Sequence, residues 1–178
     1  MRAFFTTIGI FILLASTAVA QSQSSGFDPS KLVYSGTFNF SFTNNFSAVT
    51  ISPQVGYAFN KFFTAGTGIN YNYRNQGNTN TSLNFLGLNV YGRVMPIQYV
   101  ALQVQPEAHY MWGKALGNDK SKMIPCMLVG AGVIVPTGKV GAINAMIYYD
   151  VVQYTVNGVN YSPYGNKVIY SVGYIFSF

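Results

Sequence analysis

From residue 33 onward the chain alternates between large apolar and small polar side chains, run after run. Residues 33–42 put Tyr34, Gly36, Phe38, Phe40 and Phe42 in one parity, and Val33, Ser35, Thr37, Asn39 and Ser41 in the other. Alternate side chains on a strand point to opposite faces, so each run predicts a strand with one greasy and one hydrophilic face. The pattern returns over residues 49–59, 63–73, 82–94, 99–111, 123–135, 140–152 and 168–178. The run at 123–135 is apolar in nearly every position, so its register is the weakest of the set. Pro53, Pro106 and Pro125 fall inside runs, where each removes a ladder donor and predicts a bulge or a shifted boundary.

The connections alternate as well. Asn60-Lys61, residues 95–98 and residues 136–139 read as tight turns, whereas 74–81, 112–122 and 153–166 read as long polar loops. Eight antiparallel strands with short turns at one end and longer loops at the other describe an up-and-down barrel. Periodicity alone leaves open which face looks inward, since a soluble barrel lines its cavity with apolar residues. The second face decides. It is built from Gly, Ser, Thr, Asn and Gln with few Lys or Glu, which suits a crowded lumen rather than a solvated exterior. Aromatics also gather near the strand ends: Phe59, Phe62, Phe63 and Tyr99 by the turns, and Tyr71, Tyr73, Tyr110 and Trp112 by the loops. Two such groups predict the aromatic girdles of a membrane barrel.

Composition agrees. Only 8% of residues are charged and 16% are aromatic, too few charges to solvate an ordinary surface. The only long apolar stretch is at the start. Arg2 precedes the mostly apolar residues 4–15, and Ala18-Val19-Ala20 forms a small-x-small site before Gln21. Residues 1–20 are therefore expected to be a secretory signal peptide, removed on export. Residues 21–31 follow as a short periplasmic segment, and the barrel occupies 32–178. Cys126 is the single cysteine, which excludes an intrachain disulfide; its parity makes it a small inward residue. The net charge is +6, but no basic cluster sits on a recognition element, so nucleic-acid binding is not expected.

The final run, Ser171-Val172-Gly173-Tyr174-Ile175-Phe176-Ser177-Phe178, resembles the closing strand of bacterial outer-membrane barrels. With the signal peptide, the hairpin rhythm and the alternation, the chain from about Leu32 is similar to the small OmpA/OmpX-type outer-membrane barrels. That resemblance implies an all-β, eight-stranded antiparallel transmembrane barrel in the bacterial outer membrane, in contact with its lipids and lipopolysaccharide. It also implies recognition of Tyr174, Phe176 and Phe178 by the barrel-assembly machinery during insertion.

The candidate chemistry is sparse. Parity puts Arg93, Glu107, His109, Asp150 and Lys167 in the lumen, where charges are expected to pair or hydrogen-bond. Asp150 and Lys167 flank the longest loop and are expected to face each other at the outer rim. An eight-stranded lumen is just wide enough for side chains or one small ligand. The five residues therefore predict a rigid polar plug or, as the alternative, a narrow gated path with His109 as a proton-sensitive latch. An enzyme acting on membrane lipid is the third reading, disfavoured because His109 faces the lumen with Met111, not Ser, two residues on. One His and one Cys on different strands predict no metal site, and no cofactor is expected. Arg74, Lys114, Lys120 and Lys122 lie in or beside outer loops and are candidate lipopolysaccharide contacts. The remaining reading is a structural or surface-interaction role, with the external ligand unspecified.

Overall fold

Alternation becomes a wall. In a computed structural model, which describes residues 26–43, 46–76, 81–113, 122–152, 155–156, 159–160, 162–164 and 168–177, the runs form β1 (Leu32–Thr43), β2 (Phe46–Ala58), β3 (Phe63–Gln76), β4 (Thr81–Ile97), β5 (Val100–Gly113), β6 (Lys122–Pro136) and β7 (Gly141–Asp150). A two-stranded hairpin, β8 (Thr155–Val156) with β9 (Val159–Asn160), stands in the connection before β10 (Val168–Ser177). Seven consecutive antiparallel strands and β10 close into a barrel in which β10 pairs with both β7 and β1. The expected signal peptide at 1–20, Phe178, Lys167, Lys114 and Lys120 lie outside the described residues.

Register fixes the shape. Pairings run Leu32, Tyr57, Ala65, Gly92, Val104, Val129, Tyr149 and Val168 around the wall. Val168 stands two residues before Tyr170, the partner of Phe40, so the circuit returns to β1 ten positions further along. With ~3.3 Å per residue and ~4.8 Å between strands, that shear tilts the strands by about 40° and sets a backbone radius of about 8 Å.

The faces follow parity throughout. Leu88, Val90, Ile51, Ile147 and Tyr170 point outward and are exposed, while Asn70, Asn72, Asn89, Gln103 and His109 point inward and are buried. Leu88 is 65% exposed and Asn70 0%, the reverse of a water-soluble core and the arrangement hydrocarbon requires. Phe59, Phe62 and Tyr99 ring the turn end, and Tyr71, Tyr73, Tyr110 and Trp112 the loop end.

Three details differ from the sequence expectation. Pro53 and Pro106 introduce no bulge: Ile51 pairs with Tyr71 and Gln54 with Gly68 in one unbroken register, as do Asn89 with Glu107 and Gly92 with Val104. Each proline sits in a short gap of its ladder without adding a residue. The register shift falls instead between Val94 and Ile97, at Pro96, where β4 runs on to Ile97. Gln98 and Tyr99 alone make that turn, and Tyr99 takes the left-handed conformation, φ 71°. The third difference concerns the lumen, which is not lined by small hydrophilic residues all round. Leu128, Ile134, Met146, Tyr148, Ile169 and Ile175, from β6, β7 and β10, form a buried apolar cluster inside it. β6 is apolar in both parities, and β7 and β10 place Met146, Tyr148, Ile169 and Ile175 in their inward parity, so large apolar side chains reach the inner face too.

Candidate functional site

The lumen is organised around Glu107. β5 aims Gln103, Gln105, Glu107 and His109 inward at intervals of two residues, and all four are buried. Asn70 Nδ2 and Gln105 Nε2 donate to Glu107 Oε1 at 2.8 and 2.6 Å. His109 Nε2 lies 2.8 Å from Oε2, and the Tyr164 hydroxyl donates to the same oxygen at 2.7 Å. Four hydrogen bonds on two oxygens engage the carboxylate's full acceptor capacity.

Arg93 reaches this acid through amides rather than by direct contact. Its Nε donates to Gln103 Oε1 at 2.8 Å, Gln103 Nε2 donates to Gln105 Oε1 at 2.6 Å, and Gln105 passes the chain to Glu107. Both amides point oxygen toward the cation and nitrogen toward the acid, so their dipoles add along the row. The guanidinium also lies over the Tyr91 ring, 5.3 Å from its centroid. Links across the lumen complete the mesh. Gln54 Nε2 donates to both Asn89 Oδ1 and Gln105 Oε1, and Asn89 Nδ2 donates to Asn70 Oδ1.

His109 is packed on every side. Its ring lies on Gly87, the residue opposite it across the β4–β5 pair. A Cβ there would stand 2.4 Å from Nδ1, so a side chain at position 87 would displace the imidazole. Phe85 and Tyr164 meet the ring edge-to-face at 6.5 and 6.1 Å. Cys126 is buried beside Phe85, Met111 and Ile124.

At the loop end, part of the segment read as a polar loop folds into the lumen. Ser162, Pro163 and Tyr164, between β9 and β10, are buried. Ser162 Oγ donates to Asp150 Oδ2 at 2.8 Å, and Arg74 Nη1 donates to the Ser162 carbonyl at 3.0 Å. Burial first, and the neighbouring Glu107 carboxylate second, push the Tyr164 phenol well above its ordinary range. It therefore remains a donor. Asp150 holds Ser162 and the Val152 amide; Lys167, expected opposite it, lies outside the described residues. Arg74, expected to meet lipopolysaccharide, is half-buried against this loop segment. Lys122 opens β6. No pattern in the sequence marked Ser162 or Tyr164, because Ser, Pro and Tyr in a loop look the same whether they fold in or out.

At the turn end Tyr174 and Phe176 face outward with ring centroids 4.6 Å apart. The Tyr174 hydroxyl is bonded to Thr137 Oγ1 at 2.8 Å. That bond ties the closing strand to the β6–β7 turn. Among the described residues no three His, Cys, Asp or Glu side chains gather as metal ligands would.

No family model matches the chain, and no curated protein matches it by sequence. Solved structures do. Neisserial surface protein A is 14% identical, over 83% of this chain and 96% of that one, with a TM-score of 0.52. The Yersinia pestis outer membrane protein Ail, solved in a phospholipid bilayer nanodisc, is 13% identical over 83% of this chain and 98% of its own, also with a TM-score of 0.52. At such identities the likeness is one of fold, that of a small eight-stranded transmembrane β-barrel.

Proposed function

We propose that this membrane-embedded barrel is an integral protein of the bacterial outer membrane, exported by its signal peptide, with a structural or surface-interaction role. In this reading the turn end faces the periplasm and the loops face outward. Envelope integrity and contact with lipopolysaccharide or an external ligand through the loops are its tasks. Tyr174, Phe176 and Phe178 serve insertion by the assembly machinery. The observation that carries the reading is a lumen filled by side chains, in which Glu107 accepts from Asn70 on β3, Gln105 and His109 on β5 and Tyr164 of the loop before β10. A side-chain mesh of this kind supports a rigid scaffold rather than a pore. It also argues against catalysis on lipid, because His109, the sole histidine, is wholly buried and bonded to Glu107. Lipopolysaccharide contact is assigned to Arg74, Lys114, Lys120 and Lys122, Arg74 being the one also bonded to the Ser162 carbonyl.

Planar-bilayer recording of the refolded chain tests this. The expected trace is silent. Reproducible discrete conductance steps from the wild-type protein would overturn the scaffold reading and establish the narrow gated path in its place.

A further inference from the structure

Tyr164 sits in the outer mouth as a ligand sits in a pocket. Among the described residues its hydrogen-bond and ring partners are Glu107 and His109 from β5, and its apolar cluster is otherwise wall, including Leu128 from β6, Tyr148 from β7 and Ile169 from β10. The wall supplies one carboxylate oxygen for the hydroxyl, an imidazole edge-to-face with the ring, and aliphatic packing around it. Tyr164 supplies only a ring and a hydroxyl. Asn70, Gln105 and His109 bind Glu107 independently of the loop, so Oε2 stays aimed at the same point when the phenol is absent. The segment is tethered two residues earlier, where Asp150 and Arg74 hold Ser162.

We infer that the outer mouth is a binding pocket for an aromatic alcohol, presented by Glu107 and His109 and occupied in this state by Tyr164 as a tethered ligand. The inference rests on the barrel reading and deepens it by naming what the outer face can recognise: a planar ring bearing a hydroxyl donor, not an anion and not a plain hydrocarbon. A carboxylate already saturated on three sides repels anions and accepts one more donor. A bare ring would leave that acceptor position unmet inside a dry pocket.

The test uses the full chain refolded in lipid, with Tyr164→Ala and Tyr164→Phe and two probes of one size, p-cresol and toluene. Tyr164→Ala is expected to lower Tm by about 10 °C. Saturating p-cresol restores most of that loss and toluene far less. Wild type and Tyr164→Phe, whose pockets hold a ring, move with neither probe. Equal rescue by both probes, no rescue, or a p-cresol shift in Tyr164→Phe as large as in Tyr164→Ala would each overturn the pocket. Should Tyr164→Ala not refold, refolding yield replaces melting: recovery with p-cresol but not toluene supports the pocket, and no recovery overturns it. Migration of unheated against heated samples on a detergent gel reports the barrel separately. Failed rescue with that shift intact therefore counts against the pocket alone, and loss of the wild-type shift counts against the barrel.

Discussion

The two sides of the lumen are built by different physics. From β2 to β5 the inner face is rich in Asn, Gln, Ser, Glu and His, tied by hydrogen bonds between strands and along β5. From β6 through β7 to β10 it is mostly apolar, with Leu128, Ile134, Met146, Tyr148, Ile169 and Ile175 in one packed cluster and Asn144, Asp150 and Ser171 as its buried polar members. The polar side is directional, so a lost partner strands its neighbours. The apolar side is not, so a lost group leaves a gap and little else. In a barrel whose exterior meets lipid, burial of apolar surface cannot separate inside from outside. Hydrogen bonding can, and the polar side is where the chain declares which face is inner.

Glu107→Ala should cut deepest. It leaves buried donors on Asn70, Gln105, His109 and Tyr164 without their acceptor. The expected loss is on the order of 5 kcal/mol by urea unfolding in lipid vesicles. Introduced into Tyr164→Phe, the same change should cost about 1–2 kcal/mol less, because one donor has already gone. A loss no greater than for an apolar truncation would abolish the distinction between the two sides. Leu128→Ala supplies that reference: it should cost about 3 kcal/mol, mostly cavity, and should add independently to changes at Glu107's partners on β3. At the lower limit stands Tyr174→Phe, outside the lumen altogether. It removes only the bond to Thr137 and should cost below about 1 kcal/mol while leaving unfolding cooperative. A larger effect there would place an important part of the barrel's stability in its closing strand and not in its mesh.

How much of this was legible in the sequence depends on contrast between parities. Strands β1 to β5 alternate sharply, and their faces, Arg93, Glu107 and His109 included, could be read off directly. β6 has no such contrast. Its inner residues Ile124, Cys126 and Leu128 differ too little from its outer ones Met123, Val129 and Val133 for chemistry to separate them. The prolines misled for a related reason. A missing N–H is visible in sequence, but whether the ladder tolerates it at Pro53 is a property of the neighbouring strand. Tyr164 and Ser162 were invisible, since the fold of a loop depends on partners scattered over β3, β5 and β7.

The seam between β1 and β10 carries a kinetic consequence. Residues 33–40 of β1 pair with 170–177, joining the earliest and latest stretches of the wall. Until they meet, two rows of bare amides and carbonyls would confront hydrocarbon, where nothing can solvate them. A half-made wall is consequently untenable inside the bilayer. The wall becomes tenable only once β10 meets β1, so the barrel's last-made strand decides when the fold can exist in lipid.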